Sequence, residues 1–266
     1  MNSREFKCVK ILTDLIENEG LIGIKTSFED EGALFNETIR LKEICNQANT
    51  KLTLKIGGPE AIRDIKDSSI IGVKGLVAPM IESEFGLKKF IQSVNTHIPQ
   101  DSLSTINLNI NIETITAISN IEKILGLEEI NSLYGVTIGR VDLVSSMGRN
   151  REYVNSDEIY SIVKNVFSKV KQKGLKLCLG GAISIDSLNF LKKLHSDGLL
   201  DKFETRYAIY DPSIALKDLS TSLSKGQLFE YEWLQTKHEY YTQLANQDIK
   251  RIQMIQDRIN QSITLK

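Results

Sequence analysis

Cysteine is scarce in this chain. Cys8, Cys45 and Cys178 are odd in number, widely spaced, and form no Cys-x-x-Cys pair. That spacing argues against a disulfide framework and a thiolate zinc site, and fits free thiols in a reducing, cytoplasmic setting. Charge of one sign is also lacking. Lys plus Arg number 33, Asp plus Glu 34, and the net charge is −1. A nucleic-acid footprint and a basic membrane-binding stripe are excluded on that balance. No apolar run approaches the roughly 20 residues of a membrane-spanning helix. The first 19 residues carry charges throughout, so no signal-peptide core is expected. Finally, no Gly-x-Gly-x-x-Gly or Walker pattern follows the first strand, which disfavours dinucleotide and nucleotide binding.

What is present is a rhythm of strands and helices. The length of 266 residues suits one barrel domain of about 250. In Ile106–Glu113, aliphatic and polar residues alternate strictly and end in a carboxylate. Period 2 predicts a strand with Asn107, Asn109, Asn111 and Glu113 on one face. Other strands are predicted at Leu21–Ser27, Lys51–Ile56, Gly75–Met80, Leu133–Gly139, Lys176–Ala182 and Phe203–Ile209. Several bring polar residues to their C-terminal ends: Lys25 on the first, Lys55 on the second, Glu204 and Arg206 on the last. Helical patterns lie between them, with Pro59 at one helix start and Gly174 as a stop. Alternating strands and helices imply a parallel sheet, and the absent nucleotide motifs favour a closed α/β barrel over an open sheet. Seven strands are one short of a regular TIM barrel.

Residues 1–226 are expected to form the barrel and 227–266 a C-terminal helical extension. Gln227–Ile263 reads as one or two long helices with an apolar stripe. Such a stripe packs on its own barrel or on another subunit; a homo-oligomer is expected.

Two carboxylates stand at predicted strand ends, Glu113 and Asp142. Side by side they suit an oxygen-loving divalent ion, Mg²⁺ or Mn²⁺; equally, each could be satisfied by a lysine, an arginine or a helix cap. The segment Gly139-Arg140-Val141-Asp142-Leu143 and its continuation to Gly148 resemble the Gly-Pro-x-Asp-Leu-Ser-x-Ser-x-Gly segment of the HpcH/HpaI 2-oxo-acid aldolase and citrate lyase beta-subunit family. Asn111-Ile112-Glu113-Thr114 resembles that family's Ile-Glu-Thr strand end, and Val77–Ser83 its Val-Pro-Met strand. Order and spacing agree as well, Asp142 following Glu113 by 29 positions.

The resemblance implies a modified TIM barrel with long C-terminal helices, often exchanged between subunits. It implies a metal-dependent carbon–carbon lyase, or synthase, acting on a pyruvate-like 2-oxo acid with an aldehyde or acyl partner. Glu113 and Asp142 become the metal ligands, and the backbone of Gly139, Arg140 and Val141 the grip on the substrate carboxylate. Glu82 and Arg206 are further candidates to touch substrate. Two departures bear on mechanism. Lys55 stands where family aldolases place an arginine, keeping the charge but losing the bidentate fork. The family's acid–His pair maps to Ser27–Gly32, where histidine is absent. His97, His195 and His238 read as surface residues, so proton transfer falls to Glu29, Asp30, a lysine or water. Lys25 offers a Schiff-base alternative. A citrate-lyase-like acyl-CoA lyase and a barrel that binds a metabolite without turning it over complete the readings.

Overall fold

A computed structural model describes residues 1–264. Eight strands close into a barrel in sequence order: β1 (Leu21–Ser27), β2 (Leu52–Lys55), β3 (Gly75–Ala78), β4 (Asn107–Ile112), β5 (Gly135–Gly139), β6 (Lys176–Gly180), β7 (Lys202–Glu204) and β8 (Ala208–Tyr210). β1 to β7 run parallel, whereas β8 runs antiparallel to both β7 and β1. The eighth strand missing from the sequence reading lies inside the predicted seventh. Phe203–Ile209 is a hairpin, not one strand: Thr205 N–H donates to the Ala208 carbonyl at 2.9 Å, and Ala208 N–H donates back to Thr205 Oγ1 at 3.1 Å. Each arm has three residues, too few for alternation to register. Glu204 and Arg206 therefore do not share a strand face. Glu204 ends β7, and Arg206 sits exposed in the turn.

Strict alternation in β4 sorts two buried faces rather than a wet and a dry one. Leu108, Ile110 and Ile112 are buried beneath the surrounding helices, as are Leu52, Leu54, Leu76, Val136, Ile138, Leu177 and Leu179 of the other strands. Each such side chain contributes roughly 1.5–3 kcal/mol. Asn109, Asn111 and Glu113 are equally buried but face the barrel interior. Register aligns Asn111 with Thr137 and Thr137 with Cys178, giving a polar ring inside an aliphatic shell.

The opening helix Ser3–Asn18 buries Cys8, Leu12 and Leu15, one stripe at helical spacing, and is closed at its start by a capping box between Asn2 and Glu5. Against it packs a single unbroken C-terminal helix, Leu219–Thr264. This helix begins eight residues earlier than the sequence suggested. Its first half belongs to the barrel: Ser222 Oγ meets Glu19, Phe229 and Trp233 are buried, and Glu232 pairs with Arg4 and Lys7. Tyr241 Oη donates to Glu37 at 2.7 Å; beyond that point the helix projects about 35 Å. Its stripe of Leu244, Ile249, Ile252, Ile255 and Ile259 is exposed. Among the described residues, no helix is long and apolar enough to cross a membrane.

Candidate active site

A pocket of about 360 Å³ opens at the C-terminal ends of the parallel strands. It gathers most of the residues singled out from sequence: Lys25, Glu29, Asp30, Lys55, Glu113, Gly139, Val141, Asp142 and Arg206 all line it. β2 delivers Lys55 and the loop after β1 delivers Glu29, whose Oε2 lies 2.5 Å from Lys55 Nζ. The bend after β1 is fixed by Ser27 Oγ, which accepts the N–H groups of Glu29 (3.1 Å) and Asp30 (3.2 Å).

Glu113 follows directly on β4 and is buried. Oε1 accepts the Met80 N–H at 3.0 Å, and Oε2 accepts the Asn111 amide at 2.9 Å. Met80 holds a left-handed backbone, φ 52°, unusual for a residue with a side chain. That conformation aims its N–H at Glu113, so local strain serves the site. Room for the carboxylate comes from Gly139, where an added Cβ would lie 2.6 Å from Glu113 Oε2. Asp142 stands on the first turn of a short helix, Arg140–Ser146, half-buried at the pocket wall.

Burial and charge compete in setting the titration of these groups. Burial raises Glu113 above the ordinary carboxylate range, and the Asp142 charge adds to it; Lys55 and the two hydrogen bonds recover only part. Burial likewise raises Asp142, opposed by Lys55 and reinforced by Glu29 and Asp30. Asp30 goes the other way: burial pushes it up, but Ser27 and the charges of Lys55, Lys25 and Arg206 hold it below its usual value. Burial acts to lower Lys55, yet Glu113, Glu29 and Asp30 raise it overall.

On the opposite side, Lys25 of β1 reaches Glu204 Oε1 at 2.5 Å, and Cys178 Sγ donates to Glu204 Oε2 at 3.5 Å. Burial would lower Lys25, but the Glu204 charge and hydrogen bond raise it. A Schiff-base lysine needs the reverse, a depressed pKa that frees the amine. Neither Lys25 nor Lys55 has one.

The expected grip of Arg140 is by its backbone; its side chain goes elsewhere, and one expectation, that for Glu82, needs correcting. The Arg140 side chain turns away from the pocket into the protein, where it bonds carbonyls of neighbouring loops. Glu82 does not line the pocket; its Oε1 accepts the Thr114 hydroxyl at 2.5 Å and its carbonyl the Asn120 amide, tying two loops together. No histidine lines the pocket among the described residues. Conversely, Arg151, Gln227 and Glu230 line it without having been singled out. The last two sit on the C-terminal helix, which the sequence presented only as an extension; their spacing of three on one helix face was the available signal.

The donor set suits a hard divalent cation. Two carboxylates raised by burial line the pocket, Glu113 lies in the field of Asp142, and each oxygen of Glu113 retains a lone pair. Asn111 Oδ1, buried with no protein partner, lines the same pocket. Among the described residues no cluster of three or more His, Cys, Asp or Glu completes a cage. Two carboxylates with water and substrate filling the octahedron is the usual Mg²⁺ arrangement.

A sequence profile of the HpcH/HpaI aldolase/citrate lyase family matches residues 45–187, which carry β2 to β6, Lys55, Glu113 and Asp142. The chain belongs to this family. The fold agrees. An HpcH/HpaI aldolase from Desulfitobacterium hafniense DCB-2 superimposes with a TM-score of 0.57 at 14% identity, over 72% of this chain and 88% of that one. The citrate synthase SbnG gives 0.59 at 16%, over 83% and 89%. A family protein from Burkholderia cenocepacia J2315 gives 0.56 at 12%, over 82% and 99%. No curated protein matches the sequence.

Proposed function

We propose that this family member is a carbon–carbon lyase, or the corresponding synthase, acting on a pyruvate-like 2-oxo acid, with Mg²⁺ or Mn²⁺ held by Glu113 and Asp142. The observation that carries this reading is the surplus of acid around Lys55: Glu29, Asp30, Glu113 and Asp142 share its surroundings. A bound divalent ion would supply the positive charge that stabilises negative charge developing on a keto oxygen. The residues of the chain do the rest. Lys55, kept protonated by its neighbours, places a fixed cation beside the same oxygen. Glu29 or Asp30 takes the proton from the carbon next to the keto group, in place of the family's histidine. Asp30 is held ionised for that task. Arg206, Gln227 and Glu230 also line the pocket and are the polar groups left to meet the aldehyde or acyl partner.

Exchange of pyruvate methyl protons into D₂O, followed by NMR with and without Mg²⁺ or Mn²⁺, tests this function. Metal-dependent exchange is expected. Exchange that ignores chelation, or none with either metal, refutes it; the second result would favour a barrel that binds a metabolite without turning it over.

The projecting stripe of the C-terminal helix is assigned to a second copy of the chain. Cutting after Lys237 leaves Phe229 and Trp233 in place. The shortened protein is expected to stay folded but sediment as a smaller particle. An unchanged oligomer in sedimentation would remove the helix from the assembly.

A further inference from the structure

Arg140 is the largest fully buried side chain in the protein, and no carboxylate is among its hydrogen-bond partners. Nε donates to the Gly180 carbonyl at 3.3 Å. Nη2 donates to the Gly181 carbonyl at 2.8 Å and to Ser187 Oγ at 3.3 Å. Nη1 donates to the Val154 carbonyl at 3.3 Å and to Asn155 Oδ1 at 2.6 Å. Phe190 closes the site, its ring centroid 4.9 Å from the guanidinium carbon.

Two segments thus end on one guanidinium. One is the turn after β6, Gly180 to Ser187. The other is the short helix Arg151–Asn155. Both reach the pocket, through Gly180, Gly181, Ala182 and Ile183 from the first and Arg151 from the second. The turn holds two successive left-handed residues, Gly181 at φ 81° and Ala182 at φ 51°. Gly181 is pressed onto the backbone after β5: an added Cβ would lie 2.5 Å from Arg140 N and 2.7 Å from Val141 N. Arg140 therefore grips the carbonyls on either side of a close approach, possible only for glycine, to its own main chain. A planar five-donor fork can hold several carbonyls at once, which an ammonium cannot. For stability alone, a buried charge without a carboxylate is a poor choice beside an apolar side chain of equal volume.

We propose that Arg140 is a positioning residue: it locks the turn after β6 and the helix Arg151–Asn155 into one rigid wall, and so fixes the backbone beside Asp142 for the carboxylate end of the ligand. Hydrogen exchange of the full chain, read by mass spectrometry, tests the lock in R140K and R140M. R140K retains the charge and guards against a folding defect in R140M. Amides of 151–155 and of 181–187 are expected to exchange at least about 10-fold faster together, with β4 unchanged. Oxalate, which mimics the planar enolate of a 2-oxo acid, supplies the second measurement. With Mn²⁺ present it is expected to bind R140K about 10-fold or more weakly, while Mn²⁺ itself binds within about threefold of the parent. Faster exchange in only one segment, or in neither, overturns the proposal, as does parental oxalate affinity in R140K. The oxalate measurement rests on the metal reading above. A parent that fails to bind Mn²⁺ would overturn that reading, and the exchange result alone would then decide the role of Arg140.

Discussion

Lys25 and Lys55 sit on neighbouring strands, and each touches a glutamate at 2.5 Å, yet their surroundings differ. Lys25 and Glu204 balance one another, with the neutral thiol of Cys178 alongside; burial holds that thiol far above its ordinary pKa. Lys55 pairs with Glu29 but also feels Glu113, Asp30 and Asp142. One lysine closes a neutral pair; the other is outnumbered. Both raise the pKa of an ammonium, so pKa alone does not separate them. The charge left over does. A balanced pair has no use for a further cation, whereas an acid surplus in a pocket does, which is why the proposed function puts the cation on the β2, β4 and β5 side of the mouth.

The largest effect expected is loss of that surplus. Glu113→Gln keeps volume and an oxygen but removes the charge. Metal-dependent proton exchange should fall more than about 100-fold, since ligands outweigh the outer-shell partners whose loss costs 10–100-fold. The fold should persist, and Mn²⁺ should raise the melting temperature of the parent only. Equal stabilisation of both proteins by Mn²⁺ would make Glu113 a structural group and dissolve the contrast.

On the balanced side the effect should be on stability instead. Glu204→Gln strands the Lys25 ammonium in the barrel, and removing one partner of a buried pair costs about 3–5 kcal/mol. Metal affinity should hardly change. A variant as stable as the parent in urea would show that Lys25 relaxes to water or to the acids across the pocket, and the two halves would then be one network.

This division was only half visible in the sequence. The β4 alternation showed a polar face ending in Glu113, because a six-residue strand carries its period openly. It could not show that the polar face points inward, which depends on helices covering the other side. Glu204 and Arg206 looked like strand mates because a hairpin with three-residue arms has no readable period. Arg140 entered the expected grip through its backbone, by resemblance to the family segment, and nothing in the sequence told that its side chain would run into the protein while Gly139, Val141 and Asp142 line the pocket. Direction at a strand-to-helix junction is a tertiary property. Glu230 was hidden for a similar reason: a helix that looks like an appendage shows its contacts only where it crosses the mouth.

A smaller effect is expected from Lys55→Arg. The guanidinium restores the fork that family aldolases place here, and it remains charged beside Glu29 and Glu113. Activity should be retained within about 10-fold, the loss reflecting a bulkier group in a pocket shaped for lysine. Lys55→Met should lose more than Lys55→Arg in the same exchange experiment. Equal loss in both would mean that the fit of this side chain, rather than its charge, matters.

The mildest perturbation is alkaline pH, and it reads chiefly the balanced pair when the parent is compared with Lys25→Met. Burial works against the Lys25 ammonium, but Glu204 outweighs it, so the folded pKa lies above the ordinary 10.5. A raised folded pKa means that the native state holds the proton more tightly than the unfolded chain. The resulting stability is fully present below the unfolded value. It is lost as pH rises from that value through the folded one. The stability gap between parent and Lys25→Met should therefore be constant from pH 7 to about 10 and narrow above it, by up to about 1.4 kcal/mol per pH unit. Lys55 is present in both proteins and enters the difference only through its repulsion of Lys25, which opposes the Glu204 effect. Urea denaturation at each pH measures the gap. A gap that stays constant to pH 11.5 would mean that Lys25 titrates alike in both states and that Glu204 holds it no more firmly than water does. Lys25 would then be held less firmly than Lys55, whose acids raise its pKa, and the description of Lys25 and Glu204 as a balanced pair would fall.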